Sequence, residues 1–382
     1  MTGLPPGTHE TRRLTLGRPF VLESGQILPD VEIAYRSWGK LSPGADNAIV
    51  VCHALTGSAD ADIWWRRLFG ENRALDPARH FIVCSNVLGG CYGTTGPTSI
   101  AADGLPWGAR FPRITVRDQV RLQIALADEL GIRSIRCVIG GSMGGLQALE
   151  WALLDARRVK SVISIAASGR HSPWCIAWSE AQRLAIAADP RYKNGHYAPD
   201  SPPIAGLLAA RTVAMISYRS AASLEERFGR HNGHAVFGER ASTPEDFAVS
   251  GWLRHHGKAL VERFDANSYC TLLDAMDTHD LARLRGEYHE VLRQIKQPVL
   301  VGSVSSDALY VPAEQRTLAD SLPHAELFEI ESSHGHDGFL IDTGHFGERI
   351  RHFIHLNSNS INPVTEAPPS RPVLGAALRY TW

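Results

Sequence analysis

The chain of 382 residues has no uninterrupted apolar run near the roughly 18 residues that a membrane-spanning helix needs. Its first residues, MTGLPPGTHETRR, lack the apolar core of a secretory signal. A cytoplasmic protein without a membrane partner is the expectation. Neither sign of charge is in excess: 39 Lys and Arg stand against 40 Asp and Glu, a formal net charge of -1. That balance speaks against nucleic acid or another polyanion as partner, though a single anionic ligand needs only one or two Arg. Cysteine is sparse, with six residues at 52, 84, 91, 137, 175 and 270. None forms C-x-x-C and several lie in apolar runs, so buried free thiols are expected. With no paired ligand spacing and no H-E-x-x-H, no metal is expected. No internal repeat is found.

What is present is an ordinary globular composition, 44% hydrophobic and 21% charged. Short apolar runs recur at 48–55 (AIVVCHAL), 80–87 (HFIVCSNV), 134–141 (SIRCVIGG), 159–168, 298–306 and 325–332. Runs of that length suit strands buried on both faces. Amphipathic helical stretches lie at 116–131, 145–154, 312–322 and 344–356. Strands alternating with helices predict an α/β fold with a mostly parallel central sheet and helices on both faces. Residues 12–37 look like an antiparallel edge hairpin. From Gly169 to Arg293 the alternation stops and helical candidates dominate (175–189, 204–219, SLEERFG and HGKALVERFD). The expected organisation is a core in two parts, 1–168 and 294–356, a helical lid inserted at 169–293, and an irregular extension at 357–382 rich in Asn, Ser and Pro.

Four glycines crowd one serine in IGGSMGGL, 139–146. Gly140-Gly141-Ser142-Met143-Gly144 fits G-x-S-x-G, and a buried strand precedes it while a helix follows. Neither the dinucleotide nor the phosphate-loop pattern fits this cluster. A sharp strand-to-helix turn would present Ser142 Oγ at the carboxyl end of the sheet, with the Met143 amide at a helix N-terminus ready for an oxyanion. A serine alcohol needs a base, and this architecture supplies the acid and then the histidine later in the chain. Asp307, at the end of a strand after the insertion, fits the acid. SSHGHDGF supplies two histidines, His334 and His336, which spacing alone does not separate. Asp277, His279 and Asp280 are rivals inside the insertion, where a structural role is favoured. The loop CHALTGSA offers the Leu55 amide as second oxyanion donor. His53 comes too early for the base and reads as a residue that shapes this loop.

The stretches HALTG (53–57), SNVLGGCYGTTGP (85–97), GGSMGGLQALEWA (140–152), RFDANSY (263–269) and GHDGFL (335–340) resemble the homoserine O-acetyltransferase family of the α/β-hydrolase fold over residues 12 to 356. SGRHSPWCIAW and DTHDLARLRG are similar to its branch of fungal homoserine acetyltransferases and deacetylcephalosporin C acetyltransferase. The resemblance implies His336 as the catalytic histidine. It implies Asp337 against the amino group of the acceptor, and Arg211, with Tyr218 nearby, on its carboxylate. It implies acetyl-CoA as co-substrate with no permanently bound cofactor, L-homoserine as acceptor in methionine biosynthesis, and a homodimer through lid helices.

The expected reaction is double displacement through acetyl-Ser142, under a lid that keeps water out. Trp174 and Trp178 either line that tunnel or belong to the core. DALY follows Asp307 where succinyl-using relatives often carry Trp-Arg, which favours acetyl. Serine as acceptor differs by one methylene, worth only ~1–3 kcal/mol, and Gly57 leaves room for homoserine. A carboxylester hydrolase and a non-catalytic binding protein are the other readings.

Overall fold

The computed structural model describes residues 10–230 and 247–357. Ten strands and twelve α-helices follow in the described residues. They are β1 (Arg12–Leu16), β2 (Phe20–Val21), β3 (Ile27–Leu28), β4 (Val31–Trp38), β5 (Ala48–Cys52), α1 (Ala61–Trp64), β6 (Phe81–Ser85), α2 (Val116–Glu129), β7 (Ile135–Gly141), α3 (Met143–Leu154) and β8 (Val162–Ile165). Then come α4 (Pro173–Ala187), α5 (Ile204–Ser217), α6 (Ala221–Phe228), α7 (Ala248–Val261), α8 (Ala266–Asp277), α9 (Tyr288–Leu292), β9 (Val299–Val304), α10 (Pro312–Ser321), β10 (Ala325–Ile330), α11 (Gly338–Ile341) and α12 (Thr343–Asn357).

Eight strands form one sheet in the order β1-β4-β6-β5-β7-β8-β9-β10. The six strands from β6 to β10 are parallel, and β4 pairs antiparallel with both β1 and β6. The expected edge hairpin is therefore β1 with β4, separated by the small β2–β3 pair. Every residue of β5, β8 and β9 is buried. The cause is a helical layer on each face. Val120, Leu126, Leu149 and Leu318 of α2, α3 and α10 pack with Val50, Val138 and Val301. Phe346, Ile350 and Phe353 of α12 pack with Ile49, Ile139 and Ile163 on the other face. Alternate residues of one strand thus serve opposite layers.

Among the described residues no strand lies between β8 and β9; Arg170 forms an isolated bridge with Asp280, and helices dominate there. A third apolar cluster joins them to the carboxyl end of the sheet. Ile186, Leu207, Ala210, Tyr269 and Leu272 pack there against Leu55, Met143 and Tyr310. The extension expected at 357–382 lies, apart from Asn357, outside the described residues.

Candidate active site

Strand β7 ends in Gly140 and Gly141, and α3 starts at Met143. Ser142 alone makes the turn, at φ 58 and ψ -127. A left-handed backbone at a non-glycine residue costs on the order of 1–3 kcal/mol and persists only where its surroundings enforce it. The enforcement is close packing. A Cβ on Gly140 would lie 2.2 Å from the Gly144 carbonyl oxygen, and one on Gly144 would lie 2.1 Å from the Cys52 carbonyl oxygen. Glycine at these two positions lets α3 seat directly on the ends of β7 and β5. The Ser142 amide donates to the Ile165 carbonyl at 2.9 Å, tying the turn to β8.

Ser142 Oγ stands 2.9 Å from His336 Nε2, and His336 Nδ1 stands 2.7 Å from Asp307 Oδ2. The second Asp307 oxygen accepts the amides of Leu309 (2.8 Å) and Tyr310 (2.9 Å). Asp307 thus cannot swing away, and its charge faces Nδ1. All three side chains are buried. Burial opposes the charged imidazole, but the charge and hydrogen bond of Asp307, with Asp337 adding, raise the His336 pKa above the ordinary histidine value. The Tyr310 ring stacks on His336 at 5.4 Å and 24°, while the rings of Tyr218 and Phe339 lie 5.7 and 5.4 Å away. Three aromatic neighbours leave the imidazole little freedom to tilt.

The rival groups are occupied elsewhere. His334 Nδ1 faces Ser223 Oγ at 3.3 Å. Asp277 pairs with His171 (3.0 Å) and Arg183 (2.7 Å). Asp280 accepts the Ala282 amide. His279 is buried, and burial with neighbouring His171 and Arg283 pushes its pKa down to about 3. His53 accepts the Val87 amide at Nε2 (3.1 Å) and donates from Nδ1 to the Ala54 carbonyl (2.8 Å). Burial holds its pKa down to about 4, so it is a neutral brace of its loop. Gln147 on α3 steadies the same loop by donating to the His53 carbonyl (3.3 Å).

The serine opens into a cavity of about 310 Å³. Leu55, Gly57, Arg211, Tyr218, Arg263, His336 and Asp337 line it together with Ser142. Met143 follows directly as the first residue of α3. A larger cavity of about 390 Å³, lined by Trp107, Arg110, Tyr197 and Asn267, contains none of the Ser142–His336–Asp307 group. Chemistry therefore favours the smaller one. Arg211 lies over the Tyr218 ring at 5.4 Å. Asp337 is the one carboxylate of the lining, which also carries the guanidinium groups of Arg211 and Arg263. Burial raises its pKa, against the opposing pull of Arg219, His336 and Arg211. A pocket with fixed charges of both signs suits a zwitterion.

Two residues of the site escaped sequence reasoning. Arg263 donates to the Thr56 carbonyl (2.8 Å) and to the Tyr92 hydroxyl, bracing the Leu55 loop from the turn between α7 and α8. Its signal was its place at the head of RFDANSY. Tyr310 had none beyond following Asp307. Trp174 and Trp178 do not line this cavity. Trp174 is half exposed with Nε1 on the Ala308 carbonyl, and Trp178 packs against the third apolar cluster.

A profile of the alpha/beta hydrolase fold matches residues 47–343. Homoserine O-acetyltransferase of Trichormus variabilis is 53% identical over 347 residues, covering 91% of this chain and 94% of its own. The chain belongs to the homoserine O-acetyltransferase family. A second homoserine O-acetyltransferase of that family, from Chlorobium chlorochromatii, is 49% identical over 91% of this chain and 96% of its own. Among solved structures, homoserine O-acetyltransferase from Bacillus anthracis superposes with a TM-score of 0.84 at 25% identity, covering 92% of this chain and 99% of that one. Esterase E22 superposes with a TM-score of 0.81 at 26% identity, covering 90% and 99%. The family thus shares its frame with ester-cleaving enzymes, and what surrounds the serine must separate transfer from hydrolysis.

Proposed function

We propose that the chain transfers an acetyl group from acetyl-CoA to the hydroxyl of L-homoserine, a step of methionine biosynthesis, through an acetyl-Ser142 intermediate. The observation that carries this reading is a hydrogen-bonded Ser142–His336–Asp307 line opening onto a cavity with a carboxylate and two guanidinium groups. His336 Nε2 takes the Ser142 proton as Oγ attacks the thioester carbonyl. Asp307 holds Nδ1–H and stabilises the imidazolium. The amides of Leu55 and Met143 receive the oxyanion, the second at the N-terminus of α3. The imidazolium returns its proton to the departing CoA thiol, and acetyl-Ser142 remains.

Homoserine then takes the place of CoA. Asp337 receives its ammonium group, and Arg211, steadied by the Tyr218 ring, receives its carboxylate. The two contacts fix orientation, and His336 takes the hydroxyl proton as the oxygen attacks the acetyl carbon; the bond from that carbon to Ser142 Oγ then breaks, and His336 returns the proton to Oγ. Residues 169–293 serve as the lid that keeps water from the acetyl-enzyme, and a homodimer formed through its helices belongs to the same reading. Gly57 lines the cavity at the oxyanion loop, where an added Cβ would sit 3.1 Å from the Ala54 carbonyl oxygen. Its lack of a side chain supports the longer acceptor over serine.

The test is a matrix of acceptors (homoserine, serine, deacetylcephalosporin C) against acetyl- and succinyl-CoA. Homoserine with acetyl-CoA should have the highest kcat/KM. The likeness to esterase E22 motivates hydrolysis as second reading. If acetyl-CoA were consumed equally fast with and without an acceptor, hydrolysis would replace transfer.

A further inference from the structure

The carboxylate of Asp337 has a cation behind it that is not part of the cavity lining. Arg219 Nε lies 3.3 Å from Asp337 Oδ2, with both side chains largely buried. The Arg219 guanidinium lies over the Trp252 ring of α7 at 5.7 Å, and Arg227 shares that ring at 5.9 Å. The backbone around it is tied to the histidine loop. The Asp337 amide donates to the Tyr218 carbonyl (3.2 Å), and Ser220 Oγ donates to the Ser333 carbonyl. A Cβ on Gly335 would lie 2.7 Å from Arg219 backbone carbon, so the two segments are in direct contact. The corner between α5 and α6 therefore holds both the guanidinium and the segment carrying Asp337.

We propose that Arg219 is a positioning residue for the acceptor: it keeps the Asp337 carboxylate charged and turned to meet the ammonium group in the cavity. The proposal rests on Asp337 as the ammonium partner, as read above. Its physical basis is the cost of a buried carboxylate, which takes up a proton unless an opposite charge stands beside it. The charged and titratable groups facing Asp337 are Arg219, His336, Arg211, Tyr218 and Asp307. Arg219 is the strongest of those favouring its charged form. Arg211 and His336 have other tasks in the reaction. Around Arg219 itself, Arg227 and His256 are the further basic groups, and burial with Arg211 pushes His256 down to about 4, leaving it neutral. Arg219 is thus the cation free to be spent on Asp337 throughout the cycle.

The test uses Arg219→Met, Arg219→Gln and Arg219→Lys in the full-length enzyme, with two acceptors. Homoserine carries the ammonium group, and 4-hydroxybutyrate has the same alcohol and carboxylate without it. In the Met and Gln variants the preference for homoserine, as a ratio of kcat/KM values, should fall tenfold or more. Lys should restore most of it. Release of CoA in a single turnover of acetyl-CoA should stay within about twofold of wild type, because that half-reaction does not use the ammonium contact. The pH below which the preference for homoserine is lost, read from the ratio of kcat/KM values so that the His336 limb common to both acceptors cancels, should move up by about one pH unit in the Met and Gln variants. A preference unchanged in Met and Gln, or a fall in CoA release as large as the fall in acceptor transfer, would overturn the proposal. If wild type itself does not prefer homoserine, the ammonium role of Asp337 fails first and takes the proposal with it. If Met does not fold, Gln and Lys carry the same comparison.

Discussion

Replacing Gly144 by alanine adds one carbon to a place where backbone already meets backbone. The new Cβ would lie 2.1 Å from the Cys52 carbonyl oxygen and 2.8 Å from its carbon. Ordinary contact needs about 3.5 Å, so α3 and the end of β5 must part by about 1 Å. No flexible side chain can absorb the clash. Overpacking of this kind costs about 1–3 kcal/mol, which lowers Tm by roughly 1–4 °C in a protein of this size. The displaced elements carry the Met143 amide and the His53–Leu55 loop. A misplacement of ~1 Å there costs about 10²-fold in rate. The assay pairs a denaturation curve with kcat for acetyl transfer. Gly251→Ala is the control. Gly251 lies in α7 with nothing within 4 Å of its Cβ position, so alanine should add about 0.5–1 kcal/mol of stability and leave kcat alone. A Gly144→Ala enzyme with wild-type Tm and kcat would refute the claim that the close seating of α3 on β5 builds the site.

Ser142→Ala should lower kcat by about 10⁴-fold or more, with the fold intact by circular dichroism. Asp307→Asn should cost on the order of 10⁴-fold, since it removes the charge that faces His336 Nδ1. Activity needs unprotonated His336, so kcat/KM should rise with pH through a midpoint above about 6.5, because Asp307 and Asp337 together outweigh burial. In Asp307→Asn, burial is opposed only by Asp337, and that midpoint should fall. The same raised pKa contributes stability below about pH 6.5 that is lost as pH rises through it, measurable as a difference in unfolding free energy between wild type and His336→Phe. Arg211→Met should raise KM for homoserine at least tenfold and leave KM for acetyl-CoA nearly unchanged, read by initial rates with each substrate varied.

Much of the sheet was legible because its strands are buried on both faces. Runs such as AIVVC and IRCVIGG admit little but a central strand beside glycine-rich turns. The runs at 116–131 and 312–322 became α2 and α10 within two residues of their expected ends. Helix α8 was missed because its first turns, Asn267–Thr271, run Asn, Ser, Tyr, Cys and Thr with no strong helix former. Its start was signalled only by Asp265, whose side chain accepts the Ser268 amide. The order of Ser142, Asp307 and His336 was readable because the fold places each at the carboxyl end of a strand. The choice between His334 and His336 was not, since two residues of spacing carry no direction, and the resemblance had to decide it. The role of Arg219, and that of Arg263 beyond heading RFDANSY, were hidden for a similar reason. Their roles depend on Asp337 and on the Thr56 carbonyl, partners 118 and 207 residues away in the chain.

The central claim is that acetyl passes through Ser142 and leaves on an amino-acid hydroxyl. Intact-mass measurement after mixing the enzyme with acetyl-CoA alone tests it most directly. A gain of about 42 Da, absent in Ser142→Ala and discharged on adding homoserine with O-acetylhomoserine formed in equal amount, is the expected result. An adduct that persists in Ser142→Ala, or one that water removes as fast as homoserine does, would contradict the account.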